Sequence, residues 1–182
     1  GNTASATNVY GGGSAAEVGN SEGTPNININ NTEVHFQANG TAAKVFGGGM
    51  EAGVTGTATV TIAGGGVTAG VYGGCDNSGT VGGNITVDLN DGTIGTDVNR
   101  ADVYGGGFGG DQGESNHGTF TSGDVTVTLQ GTEVYGDLYG GSAFGSVNGT
   151  SSKTTVNIQN ANLHGTVFGG GKGQLQEGSN PA

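Results

Sequence analysis

The chain has 182 residues, of which 43 are Gly and none is Trp, with 10% charged residues and a formal net charge of −11. That usage lies outside ordinary globular domains, and four basic residues (Lys44, Arg100, Lys153, Lys172) against 15 acidic ones argue against nucleic acid or an anionic membrane as partner. A lone Cys75 excludes an intrachain disulfide and a cysteine-based zinc site, and no run approaches the roughly 20 apolar residues that span a bilayer.

Abundant glycine with low hydrophobicity ordinarily accompanies disorder. Here the apolar residues fall instead in short Val/Ile/Thr-rich runs separated by Gly, Asn and Asp, which predicts strands. No window carries apolar positions at helical spacing, so no helix is expected.

In chain order the first element is Val9-Tyr10-Gly11-Gly12-Gly13, the first copy of a motif of Val or Leu, aromatic, Gly, Gly and usually Gly. An alternating run follows at Ile27-Asn28-Ile29 and a shorter one at Val34. The motif returns at Val45-Phe46, followed by Val60-Thr61-Ile62 and Val67. It returns again at Val71-Tyr72, followed by Val87-Asp88-Leu89 and Ile94, and at Val103-Tyr104, followed by Val127-Thr128-Leu129 and Val134. The fifth copy, Leu138-Tyr139, precedes Val156-Asn157-Ile158 and Leu163, and the sixth is Val167-Phe168.

Successive motifs start 36, 26, 32, 35 and 29 residues apart, a period that marks a repeat architecture with variable loops. Alternation sends one set of side chains inward and the other outward. Three runs per unit predict a roughly triangular coil with three short strands. About five coils stacked in parallel, about 4.8 Å apart, would make a rod roughly 25–30 Å long. Ile27, Val60, Val87, Val127 and Val156 then form one inner column, and Ile29, Ile62, Leu89, Leu129 and Ile158 the next. No coil buries its own inner face, so neighbours supply the core. The expected fold is therefore all-β: a single-stranded parallel β-helix, or β-solenoid, right-handed as parallel crossovers are. One domain covers 1–182. The Gly-Gly-Gly runs read as corner geometry, since no helix follows them to form a phosphate-cradling loop.

The recurring aromatic-Gly-Gly-Gly, a gap containing Gly-x-Val-x-Gly, an alternating Thr/Val strand, then Gly and the next aromatic-Gly-Gly resembles the glycine-rich β-helical repeats of large bacterial cell-surface and adhesin-like proteins. The resemblance extends from Val9 to Gly171. It implies an extracellular or cell-surface setting, and a stalk or weak multivalent rod whose partners are glycans or other surface components. Neither end carries an evident cap, as expected of a fragment of a longer repeat array or of ends that self-associate into filaments.

Several residues invite sharper readings. Gly106-Gly107-Phe108-Gly109-Gly110-Asp111 fits part of a calcium-binding nonapeptide, with Asp111 and Glu114 as ligands, although no second copy follows; a plain acidic loop is the alternative, and no other cofactor is expected. The aromatic column Tyr10, Phe46, Tyr72, Tyr104, Tyr139 and Phe168 reads as an internal stack, with Tyr72, Tyr104 and Tyr139 as alternative sugar-binding rings. An outward ladder pairs Asn26, Thr59, Thr86, Thr126 and Thr155 with Asn28, Thr61, Asp88, Thr128 and Asn157. It matches the Thr-x-Thr element of ice-binding β-helices, or simply suits a strand. His35 and His164 read as comparable surface positions, replaced by Thr68 and Tyr135 in other units. Polysaccharide-active β-helix enzymes need clustered carboxylates, whereas these are dispersed, so a non-enzymatic module is expected. Cys75 stands where other motifs have Gly or Ser142 and reads as a small residue. Gly13 to Thr24 and Gly107 to Gly123 are the loops where a specific site would be grafted.

Overall fold

The structure, a computed structural model, describes residues 4–15, 32–37, 40–109 and 118–173. Within them lie fourteen strands and no helix. They are β1 (Ala4–Tyr10), β2 (Thr32–Gln37), β3 (Gly40–Phe46), β4 (Ala58–Tyr72), β5 (Gly79–Val81), β6 (Ile85–Ile94) and β7 (Asp102–Tyr104). The second half contains β8 (Thr119–Thr121), β9 (Val125–Leu129), β10 (Glu133–Val134), β11 (Leu138–Tyr139), β12 (Ser146–Val147), β13 (Thr154–Ile158) and β14 (Val167–Phe168). Alternating β-branched residues make these segments strands because one pleat face can be buried while the other stays polar. β9 shows it directly: Val125, Val127 and Leu129 are buried, and Thr126 and Thr128 are only partly so.

Every pairing among the described residues is parallel. Eleven strands form one curled sheet along the path β13-β9-β6-β4-β7-β11-β14, with β1, β2, β3 and β10 attached beside it. The other three form a second sheet ordered β12-β8-β5. The branching arises because β4 turns within its own length. Gly64 and Gly65 take φ of 143° and 76°, a region closed to most side chains, so Ala58–Ala63 pairs with β2 and β6 while Gly70–Tyr72 pairs with β3 and β7.

All six motifs share one register. Val9 pairs with Val45, Val45 with Val71, Val71 with Val103, Val103 with Leu138 and Leu138 with Val167, and each aromatic follows its neighbour. The alternating runs likewise align Val60, Val87, Val127 and Val156 in one column and Ile62, Leu89, Leu129 and Ile158 in the next. One buried apolar cluster extends from Val34 to Leu138.

Three expectations need correction. The column partners of Val60 and Ile62 in the first unit are Val34 and Phe36, not Ile27 and Ile29, which lie outside the described residues; Ala42 then takes the place next to Val67. His35 consequently pairs with Thr61, on a different face from His164. Three strands per unit is also not what forms. Two runs and a motif are continuous in β4, and a further strand after the motif aligns Val54, Val81, Thr121 and Val147.

Candidate functional site

The motif positions build two columns side by side, one of glycines and one of rings. The glycine column owes its composition to close approach rather than to unusual dihedrals. A Cβ on Gly47 would run into the carbonyl oxygen of Gly73, one on Gly73 into that of Gly105, and one on Gly105 into that of Gly140. None of these glycines has a positive φ. With no Cβ between them, successive units come close enough for Gly47 N–H to donate to Tyr72 O at 2.9 Å and Gly73 N–H to Tyr104 O at 3.0 Å. Cys75 is buried in the next column, its Sγ 3.3 Å from Ala52 O, and burial pushes its thiol pKa up.

The rings follow the same spacing. Tyr10, Phe46, Tyr72, Tyr104, Tyr139 and Phe168 form one uninterrupted stack with centroids 5.0, 4.8, 5.2, 4.8 and 4.7 Å apart and planes within 10° of parallel. Carboxylates fix the ends of the tyrosines. Tyr104 Oη donates to Asp102 Oδ2 at 2.9 Å, and Tyr139 Oη to Asp137 Oδ2 at 3.3 Å. The other oxygen of each reaches the next unit: Asp102 Oδ1 accepts from Asp137 N–H at 2.9 Å, and Asp137 Oδ1 from Thr166 N–H at 2.8 Å. Tyr10 Oη donates to Asp76 Oδ2 at 2.7 Å; desolvation, and then that bond, push its pKa up to about 12.

This arrangement removes Tyr72, Tyr104 and Tyr139 as sugar-binding rings. They are 5%, 3% and 6% exposed, and both faces of each are covered by neighbouring rings, so no pyranose can lie against them. Asp111 and Glu114, the expected calcium ligands, lie outside the described residues, as do Asn26 and Asn28 of the outward ladder. The remaining ladder positions are in register, Thr59-Thr86-Thr126-Thr155 beside Thr61-Asp88-Thr128-Asn157, continued by Glu33 and His35. Among the described residues no three His, Cys, Asp or Glu side chains are grouped to hold a metal ion.

A second, exposed cluster brings together residues far apart in sequence. The rings of Tyr135 and His164 lie 4.3 Å apart with planes 1° from parallel. Both point their polar atoms at Glu133 Oε1, Tyr135 Oη at 3.1 Å and His164 Nε2 at 3.0 Å. Arg100, from the unit before that of Tyr135, reaches past it to the next, its guanidinium donating to His164 O at 3.3 Å. Sequence reasoning noticed Tyr135 and His164 only as a solvated column and did not connect Glu133 or Arg100. A signal existed: the third run leads to the motif in four residues at Val67–Val71, Val134–Leu138 and Leu163–Val167, but Ile94 is nine residues from Val103.

Comparisons with protein-family models, curated proteins and solved structures return no match.

Proposed function

We propose that the chain is a parallel β-solenoid, a right-handed β-helix of stacked repeat units, acting as a structural rod within an extracellular or cell-surface protein. The observation that supports this reading most is the single register of six motifs whose starts lie 26 to 36 residues apart. A ladder of that kind fixes spacing along an axis while loops vary freely, which is what a stalk or display scaffold requires. No catalytic step is assigned to it.

Duplicating one whole unit, Val103 to Asp137, in tandem tests the architecture. A stacked rod accepts the extra unit with a raised denaturant midpoint, because one more pair of neighbours buries a core layer. Loss of cooperative unfolding in the duplicated chain would overturn it. The setting is tested separately, by asking whether an antibody against the purified chain labels intact producing cells; labelling only after lysis would remove the surface assignment.

A second reading, end-to-end assembly, draws on the last described unit. Ile158, Val167 and Phe168 are 46%, 40% and 41% exposed, whereas their column partners Leu129, Leu138 and Tyr139 are buried. Concentration-dependent light scattering that Phe168→Asp abolishes would favour it, and a monodisperse sample at all concentrations would exclude it.

A further inference from the structure

We propose that the surface formed by Arg100, Glu133, Tyr135 and His164 binds a neutral saccharide through vicinal hydroxyl groups. This adds a ligand to the proposed rod and does not depend on its location.

The first observation is an ordered break in an otherwise regular repeat. The extra residues between Ile94 and Val103 form a tight loop in which Thr96 N–H donates to Asn99 O at 2.8 Å and Asn99 N–H to Thr96 Oγ1 at 3.0 Å. Gly95, at φ 73°, starts the loop where a Cβ would meet the backbone of Ala101, and Ala101 is buried again. The loop thus has a fixed shape. Its tip carries Val98, 88% exposed, and its end carries Arg100, the sole arginine of the sequence. Function concentrates on loops held by a rigid scaffold.

The second observation is what the loop reaches. Arg100 makes no ion pair with a carboxylate among the described residues; the contact it does make, to the carbonyl of His164, leaves most of its guanidinium donors available. Glu133 spends one oxygen on both Tyr135 and His164, and its second oxygen accepts no hydrogen bond from the described residues. An available planar donor group and an available acceptor therefore both touch His164, the first at its carbonyl and the second at its ring. Stability does not account for this, since exposed ion pairs contribute about 0–1 kcal/mol. Arg and Tyr are also the residue types that dominate binding hot spots.

The chemistry selects the ligand. Adjacent hydroxyls both donate and accept, so Arg100 can donate to one oxygen while Glu133 accepts from its neighbour. The inner faces of the two rings cover each other, so the apolar area open to the C–H face of a sugar is that of His164, whose side chain is 42% exposed. A net charge of −11 disfavours polyanionic glycans.

The test is an array of neutral and acidic glycans probed with the full chain, followed by calorimetry on a neutral glycan it retains. Arg100→Ala and Glu133→Gln should each weaken binding at least tenfold, with Thr128→Ala, on another face, unchanged. Retention of no glycan, retention of acidic glycans only, or affinity indifferent to both variants would overturn the proposal. Circular dichroism confirms each variant is folded, and should Arg100→Ala unfold, the isosteric Glu133→Gln carries the decision. Failure here leaves the rod standing, because the tandem-duplication result is read independently of any ligand.

Discussion

A methyl group added at Gly73 would strike the carbonyl oxygen of Gly105 and Ile85 Cγ2 and lie 2.8 Å from Val87 Cγ2, all backbone or packed core. Nothing flexible is available to move aside, so Gly73→Ala should cost about 3 kcal/mol in denaturant unfolding, at the upper end of overpacking penalties. Gly66→Ala is the natural comparison: its Cβ meets nothing within 4 Å and its φ is not positive, so the same methyl should change stability by less than about 1 kcal/mol. The tyrosines set a pH limit at the same scale. Burial raises the pKa values of Tyr10, Tyr104 and Tyr139, aided by Asp76, Asp102 and Asp137 respectively. A phenol whose folded pKa exceeds its unfolded value of about 10 stabilises the fold below that pH and loses the contribution as pH rises through the folded value. The melting temperature should therefore hold through neutral pH and fall above about pH 10. Absorbance titration of the folded chain should show the Tyr10 class ionising near 12.

Between neighbouring units the bond that repeats is a carboxylate bridging a phenol and the next strand's amide. Asp137 does this for Tyr139 and Thr166; Asp137→Ala leaves the part-buried phenol without its acceptor while the exposed Thr166 N–H turns to water, and should cost about 0.5–1.5 kcal/mol by chemical denaturation. Asp137→Asn keeps an acceptor oxygen and should recover part of that loss. Which elements were legible in the sequence follows from how many side chains identify each one. The motif strands carry a branched residue, a ring and two glycines, and aligning those residues gives their register whatever the spacing between copies. β2 was misplaced because Ile27-Asn28-Ile29 and Val34-His35-Phe36 alternate equally well, and periodicity cannot choose between two runs seven residues apart. The second sheet offers only one or two inward residues per strand, Val81 in β5, Thr119 and Thr121 in β8 and Val147 in β12, too few to form a pattern. For the rings, the sequence could not distinguish a buried stack from an exposed stripe, because the same Tyr-Gly-Gly serves both. The Arg100 cluster escaped notice for another reason: its members lie up to 64 residues apart and meet only through the ladder.

Over the whole molecule, strand pairing joins each unit to its immediate neighbours, and side chains such as Tyr10 and Arg100 reach one unit farther, so stability should depend on a residue's place along the stack. Leu89, fully buried between β4 and β9, and Ile158, 46% exposed on the last described strand, occupy the same column. Truncating Leu89 to Ala should cost about 2–5 kcal/mol, whereas the same change at Ile158 should cost under about 1 kcal/mol. Equal losses at the two sites would mean that the units do not contribute locally. The constant register beside segments of unequal length has one more consequence. Pairing is set by residues inside the strands, so the connecting segments record no information about alignment and can lengthen without shifting any strand against its neighbour. A foreign peptide spliced at Val98 should therefore be presented outward on an unaltered frame, with the next motif still meeting its partners at Val103 and Tyr104.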